Sequence, residues 1–282
     1  MWPILANVPL GDATITVRAY VTFLVLAAAA ALVLAARGAN RLGIPRRTAV
    51  AGFSLAIVAG LIGARLLDVA LDWGPYAEAP ERIFALELRG FTLYGGLAAG
   101  LLVAAVLARA WRVSIWSLAD SAVPAVAAGI VLLRVGCFLN GCCAGTATDL
   151  PWGLVFPSTG PGLDLQILQG TGLFNVAEVS GPVHPTQLYE LVAAVGCAAI
   201  GLRLRGRGAA PGVPALSFAA TFLVFRAGNQ VLRVPSPAAT FPDLLPLAYL
   251  GAGLAVAALL LWRWSQTAGT LPVAVSIEPG TS

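Results

Sequence analysis

Long apolar runs alternate with short polar segments along the whole chain. Runs of about 20 residues, the length a helix needs to cross a bilayer, lie at about 17–36, 49–71, 91–110, 115–135, 185–203, 213–234 and 242–263. They are continuous rather than alternating, so the pattern predicts helices and argues against a β-barrel. The last five carry enough Gly, Ala and Pro for close helix packing within a membrane. The expected fold is an all-α polytopic membrane protein, a bundle of seven transmembrane helices forming a single domain over residues 1–264. Residues 146–183 hold no such run until the fifth span and are expected to form a small extramembrane insert. The tail, 265–282, is polar, ends Pro-Gly-Thr-Ser and is expected to be disordered. The opening MWPILANVPLGDATITV has neither the charged n-region nor the cleavage pattern of a signal peptide, so no segment is expected to be removed. Neither an internal repeat nor the matched broken spans of an inverted-repeat transporter is apparent.

Composition agrees with this. Of 282 residues 59% are hydrophobic and only 11% charged, too little polar surface to coat a soluble globule of that size. The mean hydropathy is +0.85. All 17 basic residues are arginines, and their placement predicts an orientation. Arg37, Arg41, Arg46 and Arg47 lie between the first and second spans, and Arg109 and Arg112 between the third and fourth. Arg203, Arg205 and Arg207 lie between the fifth and sixth, and Arg263 ends the seventh. By the positive-inside rule these loops are cytoplasmic, which puts the N-terminus outside and the C-terminus inside. The acidic segment 72–90 and the insert, whose charged residues Asp149, Asp164 and Glu178 are all acidic, then face outward as periplasmic segments. The pI near 9.2 therefore reflects orientation and lipid contact, and no nucleic-acid partner is expected.

This topology assigns a depth to each isolated polar residue. Arg18 opens the first span, Arg65 lies late in the second, Tyr94 early in the third, and Arg134 near the end of the fourth with Asn140 beyond it. His184, Gln187, Tyr189 and Glu190 occupy the first turns of the fifth, where Pro185 suits an opening turn. Arg226, Gln230 and Arg233 follow i, i+4, i+7 spacing and so are expected on one face of the sixth. All fall toward the outer leaflet. A charged side chain within hydrocarbon costs about 2.5–3.5 kcal/mol on insertion scales, so such arginines face a cavity or a partner unless they can snorkel to the interface. Arg226 sits seven residues before Arg233, about 10 Å deeper at about 1.5 Å per residue, beyond easy snorkelling. The arginine fork suits bidentate contacts with phosphate, so the group reads as a phospholipid headgroup site. An internal bundle-stabilising network would use the same spacing.

Three motifs then converge. "RVGCFLNGCCAG" at 134–145, "HPTQLYE" at 184–190 and "FRAGNQVLRVP" at 225–235 resemble the bacterial prolipoprotein diacylglyceryl transferases. The likeness extends along nearly the whole chain through "GAR" at 63–65, "LYGG" at 93–96 and "LAD" at 118–120 with a later Pro. It implies an enzyme of the bacterial cytoplasmic (inner) membrane, with its active site toward the outer leaflet, that acts in lipoprotein maturation. The family moves the diacylglyceryl group of phosphatidylglycerol onto the lipobox cysteine of a prolipoprotein, forming a thioether and releasing glycerol phosphate. The implied partners are phosphatidylglycerol, lipobox-containing prolipoproteins and membrane lipid. Neither a cofactor nor a metal is implied. The reaction needs a thiolate, positive charge on the departing phosphate and a water-poor pocket. Arg134, Arg226, Tyr94 and His184 are the catalytic candidates. Arg18, Arg65, Asn140, Gly145, Gln187, Tyr189, Glu190, Gln230 and Arg233 are the substrate-binding ones. Arg134 and Arg226 match the family's arginines in the signature and on the sixth span, and Gly145 matches the glycine closing the signature.

The sequence also departs from the family pattern. Cys137 stands for an Asn and Cys142 for a Glu of the signature, Gln230 for a frequent Glu, and Tyr94 for the His of many members, a candidate activator of the substrate thiol. With an unperturbed pKa of about 10, tyrosine is a poor base at neutral pH; His184 and Glu190 are further candidates. Cys137, Cys142 and Cys143 have C-x4-C-C spacing, which is neither a redox nor a common zinc pattern. Packing, a disulfide, metal binding with His184 and covalent chemistry all remain open for them, whereas Cys197 reads as packing. A pairing of Cys137 with Cys142 requires the helix to end near Asn140. Two other classes fit less well. A transferase using another acceptor would need the same headgroup site, and an anion transporter would show polar residues through the full membrane thickness, whereas Asp120 is the main one in the inner halves.

Overall fold

The computed structural model describes residues 4–10, 13–84, 92–156, 181–233 and 244–268. It is mostly helical. Seven long helices follow the seven apolar runs: α1 (Ala19–Asn40), α2 (Arg46–Leu71), α4 (Leu93–Ala110), α5 (Ile115–Asn140), α6 (Thr186–Gly206), α7 (Val213–Val231) and α8 (Leu245–Ala268). A short α3 (Gly74–Glu78) and a 3-10 turn (Pro80–Phe84) follow α2. By length and composition five of them, α1, α2, α5, α6 and α8, can cross a membrane, and α4 is a shorter apolar helix. The tail beyond 268 and most of the insert lie outside the described residues.

Among the described residues two strands stand apart from the helices. Strands β1 (Ile4–Leu10) and β2 (Ala13–Arg18) pair antiparallel and lead into α1, whose N-cap is Arg18. The alternating "ATITV" of β2 is a strand signal that a search for apolar runs passes over.

The helices pack in an order that brings their ends together. α1 lies along α5, α5 along α6, α6 along α7 and α7 along α8, while α2 lies along α4. The interior is rich in small side chains. Ala36, Ala39, Ile44, Ala49, Ala108 and Leu118 form one buried cluster, and Val123, Ala127, Cys197, Ala198 and Phe218 a second, with Cys197 in the packing role read from the sequence. Large apolar residues point away from the protein, as Leu55, Val58, Ile62 and Leu66 do along α2 and Leu247, Leu254 and Leu261 along α8. That inversion suits a lipid surround, where burying Leu against Leu gains nothing over burying it in lipid. The "GAR" and "LYGG" glycines let α2 and α4 cross with their backbones in contact. A Cβ on Gly63 would stand 2.6 Å from the Gly95 carbonyl oxygen, and one on Gly95 would run into that of Gly63.

Asp120 ties the opposite end of the bundle. It is buried in α5, and its two carboxylate oxygens accept the Gly212 N–H at 2.8 Å and the Ala215 N–H at 2.9 Å. It therefore caps α7 from a neighbouring helix, where Pro214 offers no N–H of its own. Arg205 Nη1 donates to the Asp120 backbone carbonyl at 3.3 Å. Asp120→Ala leaves both amides unpaired and should cost about 2–4 kcal/mol, read as a lower thermal midpoint in detergent; an unchanged midpoint would remove the cap.

Candidate active site

The end of α5, the start of α6, the end of α7 and the starts of α4 and α8 meet at one end of the bundle. Glu190, on the second turn of α6 and 4% exposed, is the hub. Its Oε1 accepts Arg134 Nη2 from α5 at 2.6 Å, and its Oε2 accepts Arg226 Nη1 from α7 at 3.2 Å and Asn229 Nδ2 at 3.3 Å. A lone ion pair taken out of water barely breaks even, but one carboxylate shared by two guanidiniums and an amide is fully coordinated. The group still carries more positive than negative charge, so it can take a further anion.

The network extends past α7. The Arg226 guanidinium lies over the Tyr249 ring of α8, 5.0 Å from its centroid. The Tyr94 and Tyr249 side chains lie beside each other. Tyr94, at the start of α4, is thereby joined to the arginines through one aromatic ring.

The signature loop is pinned to the start of α6. Thr186 Oγ1 donates to the Cys143 carbonyl at 2.6 Å and Gln187 Nε2 to that of Cys142 at 2.6 Å. Both residues are almost completely buried. Gly145 N–H donates to the His184 carbonyl and Thr146 N–H to that of Leu232, both at 2.8 Å, and Gly145 forms a bridge with Arg233. The loop after α5 is thus stitched to the segments before α6 and after α7. Beneath it Ala144, Phe156 and Val183 pack with Phe138 and Leu154. Three buried polar atoms at this end, Arg134 Nε, Gln187 Oε1 and Asn229 Oδ1, have no hydrogen-bond partner among the described residues.

The remaining sequence candidates fall around this centre. His184 precedes the Pro185 cap of α6; its Nδ1 lies 3.3 Å from the Tyr189 hydroxyl, which also accepts Trp152 Nε1 at 2.8 Å. Asn140 is the last residue of α5 and Gln230 the penultimate one of α7. α7 ends at Val231, so Arg233 lies just past the helix that carries Arg226 and Gln230; its N–H donates to the Gln230 carbonyl at 3.2 Å and its backbone forms the bridge with Gly145. Arg18 is exposed at the cap of α1, with its carbonyl accepting Thr22 Oγ1. Arg65 is buried and donates to the Tyr76 hydroxyl at 3.4 Å, which in turn donates to Asp68 at 2.6 Å. Burial, and then the bond to Asp68, pushes the Tyr76 phenol above its usual value, so it stays a donor at neutral pH.

Sequence reasoning missed Asn229, Thr186 and Tyr249. Asn229 had a signal, a polar residue three after Arg226 and hence beside it on the helix. Tyr249 had none, since aromatic residues are common at both ends of membrane helices.

Comparisons with known proteins bear on this arrangement. The family model described as prolipoprotein diacylglyceryl transferase matches residues 8–266. A phosphatidylglycerol–prolipoprotein diacylglyceryl transferase of Trichormus variabilis is 31% identical over 178 residues, 63% of this chain and 58% of that protein. Proteins of the same name from Geobacter sulfurreducens and Synechococcus elongatus are 33% identical over 185 residues and 38% identical over 110. The first of these matches spans 65% of this chain and 64% of the relative, the second 39% and 38%. The chain therefore aligns with under two thirds of the length of these relatives. With the family model covering nearly its whole length, the chain belongs to the prolipoprotein diacylglyceryl transferase family.

Proposed function

We propose that this chain transfers the diacylglyceryl group of phosphatidylglycerol to the lipobox cysteine of prolipoproteins, releasing glycerol phosphate. The observation that carries the reading is the convergence of Arg134 and Arg226 on Glu190 at one end of an apolar helix bundle. In displacement at the glyceryl carbon, sulfur forms a bond to that carbon as the carbon–oxygen bond breaks, and the electron pair leaves on a phosphate oxygen. Two forked cations, held in place before substrate arrives, stabilise that growing charge without reorganising. Glu190 and Asn229 fix the forks; Gln187, Thr186 and Gly145 set the loop that borders them. Tyr94, Tyr189, Asn140, Gln230, Arg18, Arg65, His184 and Arg233 line the approaches for lipid and peptide.

This reading includes a topology. All seven long helices span the bacterial cytoplasmic membrane as a single domain, with the N-terminus outside and the C-terminus cytoplasmic. Arg37, Arg41, Arg46, Arg47, Arg109, Arg112, Arg203, Arg205 and Arg207 then lie at the cytoplasmic end, opposite Glu190, and the site opens to the outer leaflet. The insert, 146–183, is periplasmic and the tail is cytoplasmic.

The test is a transfer assay with purified protein, labelled phosphatidylglycerol and a lipobox peptide, run beside the same peptide carrying Ser for its Cys. Thioether and glycerol phosphate should form with the Cys peptide alone. A preparation that binds the lipid and yields no thioether would mean that another acceptor takes the group.

A further inference from the structure

Three cysteines, Cys137, Cys142 and Cys143, meet at the end of α5. The helix stops at Asn140, and Gly141 turns left-handed at φ 75°. Gly141 N–H donates to the Phe138 carbonyl at 3.1 Å and Cys142 N–H to that of Cys137 at 3.0 Å, a Schellman-type turn that folds Cys142 back over Cys137. Cys143 then takes φ 66°, a left-handed conformation that costs a residue with a Cβ about 1–2 kcal/mol. The result is a triangle of three sulfurs, all within 4.8 Å of one another. Sequence spacing does not reveal this, because two left-handed residues on either side of Cys142, Gly141 and Cys143, rather than helical periodicity, bring the thiols together.

The triangle has the dimensions of a metal site. With metal–sulfur bonds of about 2.3 Å, three thiolates on one ion stand about 3.8–4.0 Å apart, so the sulfurs need to close by no more than about 1 Å. The loop is held from outside, through Thr186 and Gln187 on the Cys143 and Cys142 carbonyls, which leaves the side chains free to converge. Three thiolates favour a soft d10 cation. A divalent ion would leave the cluster one net negative charge beside Arg134, whose Nη1 lies 3.8 Å from Cys137 Sγ. Among the described residues the cluster holds three ligands, and three protein ligands with a fourth position open is the arrangement of catalytic rather than structural zinc.

We propose that Cys137, Cys142 and Cys143 bind one zinc-like thiophilic cation whose open position takes the acceptor cysteine of the substrate. The proposal rests on the transferase reading above and supplies what that reading lacks. A thiol bound to such an ion gives its proton to solvent and stays a thiolate at neutral pH. Its sulfur forms the bond to the glyceryl carbon, the carbon–oxygen bond breaks, and the electron pair departs on the phosphate oxygen beside Arg134 and Arg226. The neutral thioether is a weaker ligand than a thiolate and leaves the metal. In this chain the ion takes the thiol-activating task for which Tyr94 is poorly suited.

The test uses full-length protein in detergent, reduced with a phosphine and equilibrated with zinc or cobalt(II). One metal per chain should bind, with a thiolate-to-cobalt charge-transfer band. Cys142→Ser should weaken binding about 100-fold or more. Cys143→Gly, which suits the left-handed backbone, should lose the band while keeping its thermal midpoint, and so separates lost metal from lost fold. Thioether formation should fall about 100-fold after chelation and return with zinc. A fully reduced protein without the cobalt band overturns the site. Undiminished transfer by stripped protein and by Cys143→Gly overturns the metal's role and leaves the transferase reading standing. Metal bound with no thioether from any preparation overturns that reading and, with it, the proposed acceptor.

Discussion

Arg134→Ala should form thioether at no more than about a hundredth of the parental rate, while its thermal midpoint in detergent changes little. The two halves of this expectation come from different parts of the network. The rate falls because one of two preorganised cations facing the departing phosphate is gone. The fold survives because Glu190 keeps Arg226 and Asn229, so no buried charge is left unpaired. Arg226→Ala should behave similarly, with the further loss of its stacking on Tyr249. Arg134→Lys is the sharper variant: it keeps the charge but not the planar fork, so one ammonium must serve both Glu190 and phosphate. We expect it to recover little of the rate. Initial rates from the transfer assay and melting curves on the same preparations check all three. Near-parental rates in both alanine variants would remove the arginines from the reaction.

Gly145→Ala should lower stability by about 2–3 kcal/mol and take transfer down with it. A Cβ there would stand 2.6 Å from His184 Cβ, 2.6 Å from the Leu232 carbonyl oxygen and 2.8 Å from Thr186 Cγ2. None of these can swing aside, since the three segments are joined by the backbone hydrogen bonds that start at Gly145 and Thr146. Separating them shifts the carbonyls of Cys142 and Cys143 away from Gln187 and Thr186, and with them the loop beside Arg134. Gly196→Ala is the control, for nothing lies within 4 Å of its added methyl; it should be neutral or slightly stabilising in the middle of α6. Melting curves of the pair separate a steric effect from a general intolerance of glycine substitution.

How much could be read without coordinates follows from the strength of each signal. Continuous apolar runs long enough to cross a membrane mark helices in almost any context, so α1, α2 and α4 to α8 were legible, though their ends shifted by several residues. The arginines were legible as a group because charge inside hydrocarbon demands a reason. Their anchor was only half legible: Glu190 could be assigned to the right end of its helix, but two arginines on one carboxylate is a fact of packing between α5, α6 and α7. The strands β1 and β2 were missed because a search for membrane helices passes over short alternating segments. The cysteine triangle was the least legible feature. It depends on a left-handed backbone at Cys143, which no side-chain pattern announces outside glycine.

The interior of Ala and Gly changes how this protein can be interrogated. Truncation to alanine, the standard way to find what holds a fold together, removes almost nothing from positions such as Ala36, Ala39, Ala49, Ala194 and Ala198. A scan of that kind would pass over these positions, although the helices touch there. The informative direction is enlargement: a single added side chain wedges two helices apart along their length, so tolerance of Leu or Phe at each buried alanine would chart where the helices meet.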